Sequence, residues 1–123
     1  MSRILIVDDD EQLRTMLRMF LQSAGHEVLE ARDGRLIGKA LEQHPDLIVT
    51  DVLMPGTDGL EVIMELRRKN PNVRIIAMSG GGSIKGQSYL TLAEKLGAKS
   101  SLAKPFSKSE FLDAVELALK PAA

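Results

Sequence analysis

Three short apolar runs stand out along the chain: "ILIV" (4–7), "LIV" (47–49) and "VRIIA" (73–77). Runs this rich in β-branched residues suit strands buried on both faces, as in a parallel sheet covered by helices. Two further runs, "EVLEA" (27–31) and "SSLA" (100–103), are more polar or smaller and suit edge strands. Between the runs the apolar spacing turns helical. Leu13, Leu17, Phe20, Leu21 and Ala24 form one stripe, and Leu36, Ile37, Ala40 and Leu41 a second, with Asp33 as its N-cap. Leu60, Ile63 and Met64 mark a third helix opened by "TDG"; Tyr89, Ala93 and Leu96 mark a fourth closed by Gly97. Phe111, Val115 and Leu119 mark the last, preceded by Ser107 and Glu110 at capping-box spacing.

Five strands alternating with five helices predict an α/β protein built on a doubly wound five-stranded parallel sheet. The two weak strands fit the edges of the order 2-1-3-4-5, whose switch point lies between the first and third strands. Ligands of such sheets bind there, at the carboxyl ends of the strands.

The residues leaving the strands therefore matter most. After the first strand stand Asp8, Asp9 and Asp10; after the third, "TDVLMPG" with Asp51; after the fourth, "MSGGG" with Ser79; after the fifth, "AKPF" with Lys104. Like charges about 4 Å apart repel by ~1 kcal/mol in water and ~4 kcal/mol at the effective dielectric of a protein surface, so the acids call for a positive partner. A hard divalent cation answers that need: Mg²⁺ takes one or two carboxylates, keeps waters and leaves room for phosphate oxygens.

Composition narrows the function classes. With 123 residues, 44% of them hydrophobic and 27% charged, and a net charge of -1, the chain reads as one globular domain over residues 1–123. That balance offers no electrostatic footprint for nucleic acid or an acidic membrane. The one basic run, Arg67 to Lys69, suits a solvated helix terminus. There are no cysteines, which excludes disulfides and thiolate metal sites. No apolar stretch approaches a signal peptide or a membrane span, which predicts a cytoplasmic protein.

In that order, the acidic pair Asp8 and Asp9, "DVLMPGTDG" with Asp51, the hydroxyl of Ser79 and "KPF" from Lys104 resemble the receiver domain of bacterial two-component response regulators, of the stand-alone chemotaxis-regulator type. The resemblance covers essentially the whole chain, and the order above is its flavodoxin-like one. It implies that Asp51 accepts a phosphoryl group from a phosphohistidine. It also implies that Asp9, Asp51 and the Leu53 carbonyl bind Mg²⁺, or Mn²⁺ in its place, with Asp8 acting through metal-bound water. Lys104 and Ser79 would meet phosphoryl oxygens, small Gly80 would leave the acceptor accessible, and the Lys104–Pro105 bond would be cis. The implied partners are a sensor histidine kinase or histidine phosphotransfer protein and an unknown downstream protein, met by the face of the fourth helix, fifth strand and fifth helix. Any enzymatic activity would be limited to the domain's own phosphorylation and dephosphorylation.

Blander readings compete at each position. Asp10 suits a helix N-cap better than a metal, Asp51 alone could end a turn, and Ser79 could be a turn serine. His26 and His44 fall in turns before strands and read as surface residues. "GGGSIKG" (80–86) lacks phosphate-loop spacing and reads as a flexible connection, longer than is usual in the family. Ser101 stands where many receivers carry an aromatic, which predicts an absent or rerouted relay from Ser79, with Tyr89 as a substitute. Leu53 and Gly81 hold no polar side chain at positions that, by the resemblance, often tune dephosphorylation in the family. Two other functions stay open: an interaction domain independent of phosphorylation, and a Mg²⁺-dependent phosphohydrolase with Asp8 as nucleophile.

Overall fold

The computed structural model describes residues 2–33, 37–54, 57–80 and 84–120. In chain order they form β1 (Arg3–Val7), α1 (Glu11–Ser23), β2 (Glu27–Ala31), α2 (Ile37–Leu41), β3 (Leu47–Asp51), β4 (Leu53–Met54), β5 (Thr57–Asp58), α3 (Gly59–Lys69), β6 (Ile75–Gly80), α4 (Ile84–Lys95), β7 (Ser100–Lys104) and α5 (Lys108–Leu119). The main sheet is parallel throughout, in the order β2-β1-β3-β6-β7. Counting its five strands along the chain, this is the expected 2-1-3-4-5, with the two polar strands at the edges.

Burial explains the order. Every residue of β3 is buried, as are Ile4 to Val7 of β1 and Ile75 to Ser79 of β6, whereas most residues of β2 and β7 are half-buried or exposed. The alternating sides of these strands feed two cores. Leu5, Val7, Ile48, Ile75 and Ala77 pack with Ile63, Leu66 and Ala93 on one face; Ile4, Ile6, Val49, Ile76 and Met78 pack with Leu17, Leu21, Phe111 and Val115 on the other.

Capping sets where helices begin and end. The Asp10 side chain accepts from the Leu13 N–H at the start of α1, so its role is the N-cap. Ser107 and Glu110 form the predicted capping box of α5. Gly97, with φ at +110°, follows α4 in a conformation that disfavours side chains. At Gly59, which opens α3, an added Cβ would lie 2.3 Å from the Val52 Cα, so only glycine lets that helix start so near the end of β3.

Several expectations need correction. Ile84, Lys85 and Gly86 belong to α4, so the connection from β6 is shorter than the glycine-rich sequence suggests. A glycine inside a helix costs only ~1 kcal/mol relative to alanine, and the later α4 residues Leu90 and Ala93 anchor the helix in the core. β6 runs on through Ser79 and Gly80, because parallel pairing with β7 continues to Gly80↔Lys104. The pairing of Leu53–Met54 with Thr57–Asp58 was not foreseen; two-residue strands leave no periodicity to read. Met64, counted in the third stripe, is 55% exposed, and Leu66 takes the inward position beside Ile63. Arg67 is more than a solvated helix end: it donates to the carbonyls of Pro71 and Gly97. Leu36 of the second stripe and Gly81 lie outside the described residues, as do the side chains of Ile37, Leu53 and Tyr89.

Candidate functional site

The parallel order sends the ends of β1, β3, β6 and β7 to one edge of the sheet. Asp8 follows β1 directly, and its N–H donates to the Ala31 carbonyl at the end of β2 (3.1 Å). Its carboxylate accepts from the Asp10 N–H (2.9 Å) through one oxygen and from Lys104 Nζ (2.9 Å) through the other. Asp51, the last residue of β3, accepts from the same Nζ at 3.1 Å. Lys104, the last residue of β7, therefore spans two buried acids that are 96 and 53 residues away in sequence. The Lys104–Pro105 peptide that follows is cis.

This bridge supplies part of the positive partner that the acidic run calls for. Asp8 is 1% exposed, and burial pushes its carboxyl above the ordinary value despite the opposing pull of Lys104 and Asp10. For Lys104, burial works against the charge, but the hydrogen bond to Asp8 and the charges of Asp51 and Asp8 outweigh it. The ammonium is held above the usual lysine value.

Asp9 behaves differently. It is exposed, and carboxylate oxygens of Asp8, Asp9 and Asp51 lie within 4.8 Å of one another. Three oxygen donors from three aspartates, with open solvent on the Asp9 side, match what a hard dication such as Mg²⁺ accepts while keeping water ligands. Leu53 lies two residues past Asp51, in β4.

Ser79 completes the edge. It sits one residue past the Asp51↔Met78 pairing, is 0% exposed, and its Oγ has no hydrogen-bond partner among the described residues. A buried hydroxyl left unpaired costs ~1–3 kcal/mol, the kind of deficit an incoming acceptor oxygen removes. Thr50, also buried, is satisfied by donating to the Asp51 carbonyl at 3.1 Å. Ser101 is half-buried on β7, in register with Ala77. His26 and His44 lie before β2 and β3, and the His26 Nδ1 accepts from the Ser2 N–H at 3.4 Å.

One group near the site escaped the sequence reading. Arg14, on the first turns of α1, donates to the Asp8 carbonyl at 2.6 Å and to Glu30 of β2 at 3.3 Å. The only signal was an arginine one turn after an acidic N-cap, which is too common to single out.

A sequence model described as the response regulator receiver domain matches residues 4–116. The chain belongs to that family. Among its relatives, the chemotaxis protein CheY of Thermotoga maritima is 38% identical over 116 residues, covering 93% of this chain and 94% of that protein. The sporulation initiation phosphotransferase F of Bacillus subtilis is 31% identical, over 94% of this chain and 91% of that one. The structure of Vibrio cholerae chemotaxis protein CheY4 superimposes with a TM-score of 0.82 at 31% identity, covering 94% of this receiver and 97% of that chain. Among the described residues, this receiver has no helix long and apolar enough to cross a membrane.

Proposed function

We propose that this receiver is a phosphorylation switch in which Asp51 takes a phosphoryl group from a phosphohistidine of a sensor kinase or phosphotransfer protein in the cytoplasm. The observation that carries the reading is Lys104 held between Asp8 and Asp51, with the hydroxyl of buried Ser79, unpartnered among the described residues, at the adjoining strand end.

In the transfer, a carboxylate oxygen of Asp51 attacks phosphorus and the P–N bond to the donor imidazole breaks. The imidazole nitrogen keeps the bonding electrons, and an acyl phosphate forms on Asp51. When bound, Mg²⁺ neutralises the acidic cluster and draws charge from the phosphoryl oxygens. Asp8, Asp9, Asp51 and the Leu53 carbonyl are the groups that would hold it, Asp8 through water. Lys104 exchanges its Asp51 contact for a phosphoryl oxygen, which suits a compact point charge. Ser79 Oγ donates to another oxygen and gains its missing partner, and that new bond biases the β6–α4 region toward a partner-binding state. The face formed by α4, β7 and α5 then meets the downstream protein. Ser101 leaves β7 without the usual aromatic, so this bias travels by another route.

The match of the receiver-domain model to residues 4–116 favours Asp51 over the phosphohydrolase alternative with Asp8 as nucleophile.

The test is incubation with Mg²⁺ and acetyl phosphate, followed by intact mass, for the wild type and Asp51→Asn. A Mg²⁺-dependent phosphoryl adduct that vanishes in the variant is expected. An adduct that persists in Asp51→Asn would make another acid the acceptor. No adduct on the wild type from acetyl phosphate or from a phosphorylated kinase would favour an interaction domain that works without phosphorylation.

A further inference from the structure

Asp9 is the exposed member of the acidic cluster, and its carboxylate has no hydrogen-bond partner among the described residues. Its position is therefore set by its backbone. Two contacts fix that backbone from opposite sides. On the following side, the Asp10 N–H donates to the Asp8 carboxylate at 2.9 Å, closing an Asx turn around Asp9. On the preceding side, Arg14 Nη1 donates at 2.6 Å to the Asp8 carbonyl, which lies in the same peptide plane as the Asp9 N–H.

Arg14 is itself anchored. Its Nε donates to one oxygen of Glu30 at 3.3 Å, and Arg18 Nη1 donates to the other at 2.8 Å. The Arg14 side chain is only 14% exposed. Glu30 shares a face of β2 with Val28, toward the core that contains Leu17 and Leu21 of α1, which is why an edge-strand glutamate reaches that helix. The chain of contacts thus ties the β1–α1 turn to the edge of the sheet.

We propose that Arg14, steadied by Glu30, is a positioning residue that orients the Asp8–Asp9 peptide and so places the Asp9 carboxylate for a divalent cation. The inference rests on the cluster being the metal site proposed above. A guanidinium suits the task because its planar fork can meet a carbonyl and a carboxylate at fixed angles, which an ammonium on a flexible stem cannot. Glu30 has a second effect: it offsets the charge of Arg14, so a cation entering the cluster meets a partly neutralised neighbour.

Positioning and plain electrostatics predict opposite signs. Removing a positive charge beside an acidic cluster should tighten Mg²⁺ binding if charge alone mattered. Loss of positioning should weaken it, by about tenfold on the scale at which groups behind metal ligands act.

The experiment is a Mg²⁺ titration followed by two-dimensional amide NMR on the wild type, Arg14→Gln, Arg14→Lys and Glu30→Gln. Arg14→Gln is expected to shift and broaden the Asp9 and Asp10 amides before any metal is added, and to weaken Mg²⁺ about tenfold. Arg14→Lys keeps the charge and is expected to weaken binding as well. Equal or tighter binding in Arg14→Gln with unmoved Asp9 and Asp10 amides would overturn the inference, and so would full rescue by lysine. If Arg14→Gln does not fold, the charge-conserving Arg14→Lys carries the test, with weaker binding and shifted Asp9 and Asp10 amides expected and unchanged affinity and amides overturning it; Glu30→Gln is read by its metal-free Asp9 and Asp10 amides alone, which should move, unmoved amides counting against the Glu30 anchor. A wild type that takes up no Mg²⁺ would instead overturn the metal-site reading on which the inference stands.

Discussion

At both ends of β1 a cation pairs with acid, and the two constellations differ in how much water reaches them. At the amino end, the Arg3 guanidinium pairs with Glu27 at 3.0 Å and its backbone N–H donates to Asp46 at 2.8 Å. The Arg3 and Glu27 side chains are 38% and 48% exposed. At the carboxyl end, Lys104 lies 2.9 Å from Asp8 and 3.1 Å from Asp51, with the lysine 24% exposed and the two acids almost closed off from solvent. Distances are alike, but the energetics are not. An exposed pair contributes about 0–1 kcal/mol, because water solvates each partner nearly as well alone. A buried charge cannot fall back on water, so each member of the Lys104 group depends on the others. The exposed pair is a tie between neighbouring strands.

The largest test of that contrast is Lys104→Ala. It leaves two buried carboxylates without their shared ammonium and should lower metal-free stability by about 2 kcal/mol, below the ~3–5 kcal/mol for a fully buried pair because the lysine keeps some water access. Denaturant unfolding reads the loss, and Mg²⁺ in the buffer should recover part of it. A loss no larger than that of an exposed pair would remove the contrast.

Next comes pH. The Asp8 carboxyl is raised above its model-compound value of 3.8, so over a window starting near that value the folded state keeps a proton that the unfolded chain has released. Metal-free stability of the wild type relative to Asp8→Asn should therefore fall as pH climbs through 3.8 toward the folded value, then level off. A difference that rises with pH would contradict the burial argument. Lys104, raised above 10.5, contributes in the other sense: its share is present below 10.5 and is lost as pH rises through its folded value.

A smaller effect is expected at Asp9. Asp9→Asn removes one like charge from the cluster and should stabilise the metal-free protein by about 0.5 kcal/mol while weakening Mg²⁺ binding, the usual opposition between stability and function at a charged site. Calorimetry with and without Mg²⁺ separates the two. The smallest is Glu27→Gln at the opposite pole, with a loss of about 0.3 kcal/mol that disappears in molar salt. A loss near that of Lys104→Ala would show that exposure does not distinguish the poles.

Much of the fold was legible in the sequence because burial on both faces demands unbroken apolar strands, and ILIV, LIV and the run ending at Ala77 are such strands. Edge positions were legible for the opposite reason: Glu27, Glu30, Ser100 and Ser101 could not all be tolerated at the sheet's centre. The caps at Asp10 and Ser107 are local chemistry, complete within four residues, and they form as read. The grouping of Asp8, Asp51, Ser79 and Lys104 could be inferred from strand-end placement together with the motifs of a known family.

Other features depended on the tertiary arrangement. Helix α4 extends into a glycine-containing stretch that local propensity marks as loop, a glycine penalty of only ~1 kcal/mol set against a helix anchored in the core by Leu90 and Ala93. Which acids are buried, and which single cation spans them, depends on β1 and β7 reaching the same edge across 96 residues. The Arg14–Glu30 link depends on the register of β2 against β1, where Ile6 pairs with Glu30. Periodicity and capping are written within a few neighbouring residues, so the sequence alone determines them. Charge burial and the choice of partners depend on distances between remote strands, and those exist only once the sheet has formed.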